Sequence, residues 1–144
     1  LLLFSYNCGS SWTYQKTSNI YNAVVSGAKG NLLIDALTRW CNAGGQIKTF
    51  LLRRRLSEAN MYLNGEYSQT PPENFGYVLY DACGGVSKPN VQGYHCDLTA
   101  EIIPTPTYEG HTFAGWYTDA ELTTPITEIA ADTTGDLTLY AKWI

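Results

Sequence analysis

The chain has 144 residues and a formal net charge of −4, and 44% of its residues are hydrophobic and 15% charged. This composition is typical of a folded protein and excludes an intrinsically disordered one, and the length accommodates one ordinary domain or two small ones. Residues 1–72 hold seven basic and three acidic side chains (net +4), whereas residues 73–144 hold two basic and ten acidic ones (net −8). The change of sign favours two units. An acidic chain without a recognised nucleic-acid-binding module is not expected to bind nucleic acid, and no apolar run approaches the length of a membrane span.

Residues 1–72 are predicted to form a small α+β unit. Residues 1–6 are predicted as a strand, and residues 18–26 as a short helix that ends at Gly27. The clearest helix is predicted over residues 31–42, where apolar residues recur three and four positions apart. That apolar stripe consists of Leu33, Ala36, Leu37, Trp40 and Cys41. Asn31 is expected to cap the start of this helix, and Gly44 to close its end.

The rest of this unit contains a segment whose secondary structure is undecided, a predicted turn and the predicted junction between the two domains. Residues 47–56 are apolar and then basic, and they fit either a strand or a helix. Asn64–Gly65 separates residues 61–63 from residues 66–68 and predicts a β-hairpin, because both residues of a type I′ turn need a positive φ. The pair at residues 71–72 is Pro-Pro, which blocks helix and strand pairing alike. We therefore predict two domains, residues 1–72 and 73–144.

The last third of the chain alternates apolar and polar residues, which predicts strands with one buried face. The two stretches are GHTFAGWYTD at residues 110–119 and GDLTLYAKW at residues 135–143. Together with residues 77–85 and the Pro-rich residues 104–110, they resemble the Listeria–Bacteroides repeat, the B-repeat of internalin-type surface proteins. The resemblance covers residues 75–144, and the chain departs from the family's usual sequence pattern at Cys83, Cys96 and His111.

That resemblance implies a β-rich, β-grasp-like module in an α+β chain. We expect its core to contain Phe113, Trp116, Leu137, Leu139 and Trp143. It also implies an extracellular or cell-surface structural or adhesive module that works without a cofactor, through a protein partner, a surface glycan or other copies of itself. A virion or appendage decoration protein is an alternative in a different class.

A small hydrolase is the second alternative, because residues 8–12 resemble the segment around a papain-type nucleophile, with Ser11 at the nucleophile's position. We reject it, since that family needs a distant base and a chain about twice as long. The two histidines, His95 and His111, could form a metal site or an acid–base pair only if folding joined them. Acidic loop residues such as Asp119 lack the dense spacing of a calcium loop, so we predict neither catalytic nor metal residues.

The four cysteines favour two disulfides, Cys8–Cys41 and Cys83–Cys96, over four free thiols, because each predicted half holds one pair. The run Arg53-Arg54-Arg55 is a possible contact for an anionic partner. We favour a solvated edge or a contact with the acidic half for this run. Four aromatic residues could form a platform for sugar, although alternation places neighbouring ones on opposite faces; these are Trp116, Tyr117, Tyr140 and Trp143.

Overall fold

A computed structural model describes residues 19–27, 29–43, 46–66, 68, 70–102 and 104–144. The predicted first strand, Cys8, Ser11 and Gly44 lie outside these residues. The described helices are α1 (Asn19–Val25), α2 (Asn31–Thr38) and α3 (Thr49–Asn64). The described strands are β1 (Asn42–Ala43), β2 (Gln46–Ile47), β3 (Phe75–Asp81), β4 (Val91–His95), β5 (Ala100–Glu101), β6 (Phe113–Tyr117), β7 (Pro125–Ile126), β8 (Glu128–Ile129) and β9 (Leu137–Trp143).

Helix α1 agrees with its prediction, whereas α2 is shorter than predicted. The α2 helix ends at Thr38 rather than at residue 42, because the chain turns there into the antiparallel pair β1–β2. Its apolar stripe nevertheless packs in one core, with Trp40 half-buried and the others buried, since the short connection keeps Cys41 in the same core as Leu33. Asn31 is the first helical residue and not the cap, because its side chain bonds to a neighbouring strand instead.

Helix α3 replaces the predicted hairpin at Asn64–Gly65, so that prediction was wrong. Gly65 has φ 71° and its backbone N–H donates to the carbonyl of Met61 at 2.9 Å, which closes the helix in the left-handed conformation. A positive φ at an Asn-Gly pair therefore serves a helix end as well as a hairpin turn. The helix forms because Leu52, Leu56 and Ala59 recur at helical spacing and are buried. With 16 residues it is the longest described helix, and no described helix has the length and apolarity needed to cross a membrane.

The C-terminal half is built on a five-stranded sheet in the order β4-β3-β9-β6-β7. The central strands β3 and β9 are parallel, and the other neighbours are antiparallel. Helices followed by a strand-rich region confirm the predicted α+β class.

The two faces of this sheet carry two cores. Phe75 and Tyr77 of β3 pack with the three helices on one face. Val78 and Tyr80 alternate with them and pack on the other face, where β5 and β8 also contribute. The first core therefore contains residues from both sides of residue 72, and the division into two domains stays a prediction. The second core contains Phe113, Trp116, Leu137, Leu139 and Trp143, of which Trp116 and Leu139 are buried and the others half-buried.

The predicted Cys83–Cys96 disulfide does not form, and the described residues contain no other disulfide. Cys41, Cys83 and Cys96 are free thiols. Cys96 follows β4 and its N–H donates to the carbonyl of Asn74, directly before β3, whereas Cys83 follows β3. The seven residues of β3 span about 23 Å, and a disulfide needs Cα atoms within about 7 Å. Cys41 is fully buried among the helices as a small apolar side chain, and its predicted partner Cys8 lies outside the described residues.

Candidate binding surfaces

The arginine run lies on α3, and its side chains form contacts with other residues of the same chain. The side chain of Arg55 is 2% exposed, forms an ion pair with Glu58, and donates from Nε to the carbonyl of Trp40 at 3.1 Å. Arg54 Nε lies 3.4 Å from the same Glu58 carboxylate. Arg53, the most exposed of the three, lies 3.5 Å from Asp136 of the acidic half. The run is therefore divided between a buried ion pair and a contact with the acidic half, the second of which we favoured.

The two histidines lie at opposite ends of the sheet. His95 is opposite Phe75 at the start of β3, and their rings lie 5.0 Å apart. His111 lies beside the end of β9, which runs parallel to β3. Folding thus does not join the histidines, and within the described ranges no three His, Cys, Asp or Glu side chains come together as a metal site.

The four aromatic residues of the predicted platform do not share one surface. Trp116 is buried, and its Nε1 donates to the carbonyl of Pro104 at 3.0 Å. Tyr117 and Tyr140 are register partners on the opposite face, where Lys142 Nζ lies 5.2 Å from the centre of the Tyr117 ring.

A different apolar surface forms where β9 ends, and we call it the end patch. It consists of Val86, Tyr108, His111 and Trp143. The rings of Tyr108 and His111 are stacked with their centres 4.1 Å apart, and the Trp143 ring meets Tyr108 edge-on at 5.5 Å. Val86 and Tyr108 are 56% and 38% exposed.

Backbone pairing holds the end patch together. Val86 exchanges two backbone hydrogen bonds with Thr107, at 2.8 and 2.9 Å, and Ile144 exchanges two with Thr112, both at 3.0 Å. Gly85 is needed for this approach, because a Cβ there would lie 2.6 Å from the carbonyl of Thr107. Sequence reasoning did not identify Val86, and the only signal near it was the pair Gly84-Gly85 directly before it.

A second feature, the junction cavity, lies between α2, β4 and β5 and has a volume of about 320 Å³. Its lining combines hydrocarbon with oxygen and nitrogen atoms from Asn31, Leu32, Asp35, Gln92, Thr99, Ala100 and Glu101. Sequence reasoning missed this site, because its residues come from three separate elements and form no motif.

Helix α2 protects the edge strand β4 beside this cavity. The N–H groups of Gly93 and His95 donate to Asp35 Oδ1 and Asn31 Oδ1, at 3.2 and 2.6 Å. The other oxygen of Asp35 lies 2.6 Å from Arg39. Burial nevertheless raises the pKa of Asp35, because desolvation outweighs the ion pair and the hydrogen bonds. The edge strand is thus closed to pairing with another chain at these positions.

Comparison with known families matches the C-terminal part of the chain. Residues 77–142 match the family model of the Listeria–Bacteroides repeat domain. This confirms the resemblance seen in the sequence for the C-terminal part of the chain, and the match does not extend to residues 1–76.

Two curated relatives come from Evansella cellulosilytica. A "Putative Gly-rich membrane protein" is 40% identical over 67 residues, which are 46% of this chain and 8% of that protein. A "Putative membrane protein" is 35% identical over 66 residues, which are 46% of this chain and 10% of that protein. The chain therefore spans a tenth or less of the length of these relatives.

Proposed function

We propose that this chain is a non-enzymatic structural or adhesive module of a surface-associated extracellular protein, and that it acts through contact with a protein partner or a surface glycan. The repeat match and the membrane-protein names of the two relatives support a surface-associated location. The observation that carries the proposal is the end patch.

The composition of the end patch suits a contact with protein. Aromatic side chains are enriched in the cores of protein interfaces, and charged ones are depleted there. The patch places Tyr108 and the aliphatic side chain of Val86 at the surface, over backbone that is fixed by hydrogen bonds. A rigid apolar surface loses little conformational entropy on binding. The stacked Tyr108–His111 pair also provides a flat ring surface for a glycan.

The arginine contacts bear on self-assembly. Head-to-tail assembly through the opposite charges of the two halves would need free cations on the first half. Arg53 and Arg55 instead contact Asp136 and Glu58 of the same chain. If copies associate, we expect the end patch rather than the arginine run to form the contact.

Co-sedimentation with isolated cell envelopes of Evansella cellulosilytica tests the proposal. The wild-type chain is expected to be retained, and the double variant Val86→Ser/Tyr108→Ser to be retained at least about tenfold less, since an apolar anchor contributes 1–3 kcal/mol or more. Val25→Ser is the matched control, because Val25 is 68% exposed on α1. Protease and periodate treatment of the envelopes distinguish a protein from a glycan. Equal retention of the double variant and the wild type, or no retention of either, would contradict the proposal.

A further inference from the structure

We infer that the junction cavity binds a basic side chain, arginine or lysine, presented by an extended peptide of a partner protein. This site shares no residue with the end patch, so an experiment can contradict one of the two proposals without affecting the other.

The size and walls of the cavity suit a long side chain with an aliphatic stem. Its volume of about 320 Å³ lies at the small end of the range for ligand pockets. Leu32 lines it and is 72% exposed at its rim, and Ala100 lines it from β5. Leu98 is a second exposed leucine close to the start of α2, because a Cβ at Gly30 would lie 3.2 Å from its Cδ1. The methylene groups of lysine and arginine pack against such apolar surface while the charged end reaches polar partners.

The charge of the cavity favours a cationic occupant. Asp35 and Glu101 both line it, and neither a lysine nor an arginine is among its lining residues. Arg39, just outside the lining, already pairs with Asp35, so Glu101 supplies most of the negative charge that a ligand would meet. Glu101 is the register partner of Glu128 across β5–β8, and both are exposed. Like charges directly opposite each other destabilise a strand pair, so a cation bound at this edge relieves the repulsion.

The buried carboxylate of Asp35 provides a defined anchor in the wall. It accepts one hydrogen bond from Gly93 and pairs with Arg39, and a carboxylate offers about four acceptor positions. The hydrogen bond to Gly93 fixes its orientation before a ligand arrives. Because burial raises the pKa of Asp35, a second cation beside it would stabilise the ionised form.

A peptide explains these features better than a metal ion. A metal ion would make no use of the exposed leucines, and the described residues contain no group of three metal-ligating side chains. A side chain held by a peptide would use both the acidic lining and the apolar rim. It would also contact α2 and the repeat module at once.

Nuclear magnetic resonance titration of the isotope-labelled full chain tests the inference. The probes are two capped tripeptides, Ac-Leu-Arg-Leu-NH₂ and its neutral counterpart Ac-Leu-Gln-Leu-NH₂. The arginine peptide is expected to shift the amide signals of Gly93, Thr99 and Glu101. The glutamine peptide is expected to bind about tenfold more weakly, since a hydrogen bond to a charged group contributes about 1.5–3 kcal/mol.

Two exposed glutamates supply the matched variants. Glu101→Gln is expected to weaken binding of the arginine peptide about tenfold and to leave the glutamine peptide unchanged. Glu121→Gln, between β6 and β7 and away from the cavity lining, is expected to bind like the wild type. Equal affinity for both peptides, shifts confined to other residues, no shifts at all, or an unaffected Glu101→Gln variant would each overturn the inference.

Discussion

Replacing Arg55 with methionine tests whether the arginine run is mainly structural. The Arg55 and Glu58 side chains are 2% and 3% exposed and form an ion pair on adjacent turns of α3. Methionine retains most of the aliphatic length of arginine but none of its donors. The variant therefore leaves the Glu58 carboxylate buried with Arg54 as its neighbour at 3.4 Å, and it removes the donor 3.1 Å from the carbonyl of Trp40.

The expected loss follows from this burial. Removing one partner of a buried ion pair costs about 3–5 kcal/mol, and the low end applies here because Arg54 remains close to Glu58. We therefore expect the free energy of unfolding of Arg55→Met to fall by about 3 kcal/mol, and the melting temperature by about 10 °C for a domain of this size. Replacing both charges, in Arg55→Met/Glu58→Leu, is expected to restore stability to within about 1 kcal/mol of the wild type.

Urea denaturation followed by tryptophan fluorescence and by circular dichroism measures these differences. Arg53→Met is the matched control, because that side chain is 57% exposed and lies 3.5 Å from Asp136. It is expected to change stability by at most about 0.5 kcal/mol. A single variant Arg55→Met as stable as the control, or a double variant no more stable than Arg55→Met, would refute the structural role of the pair.

Three further predictions concern packing, pH and thiols. Gly93→Ala is expected to lower the free energy of unfolding by about 1–3 kcal/mol in urea, because the new Cβ would lie 2.9 Å from the carbonyl of Ile34 on α2; unchanged stability would contradict this close packing. Since the folded state raises the pKa of Asp35 above 3.8, it binds more protons than the unfolded state, and this group's contribution to stability increases as pH falls through the folded pKa. Asp35→Asn should abolish this increase in stability, which urea unfolding at a series of acidic pH values measures. The same pH dependence in the variant and the wild type would contradict the raised pKa of Asp35. In the native protein Cys83 should react with a disulfide reagent before Cys96, because Cys83 is exposed and Cys96 buried; loss of one rapid equivalent in Cys83→Ser is the check, and an unchanged rapid phase would contradict the exposure.

Local periodicity predicted the elements that depend on neighbouring residues. The alternation of residues 137–143 gave a strand with Leu139 and Ala141 buried on one face, because side chains of a strand alternate wherever the sheet lies. The apolar stripe of α2 was equally local, although the end of that helix was placed four residues too late. The Asn64–Gly65 pair shows the limit of such reasoning, because a positive φ ends a helix as readily as it turns a hairpin.

The pairing of distant segments required the tertiary structure. The antiparallel register of β3 with β4 places Cys83 and Cys96 at opposite ends of β3. The fact that each half of the chain holds two cysteines carried no information on that distance. The same holds for the end patch and the junction cavity, whose residues come from segments far apart in sequence.

The sequence by itself determined the repeat resemblance of the second half, the α+β class and most of the faces that become buried. Those properties follow from the spacing of apolar residues over short stretches of the chain, and that spacing can be read directly from the sequence. Only the tertiary structure decided that Arg55 is buried beside Glu58, that Arg53 reaches Asp136, and that the first core draws on residues from both halves. These contacts depend on where α3 packs against β3, and the free energy of that packing comes from apolar surfaces that meet only after the chain has folded.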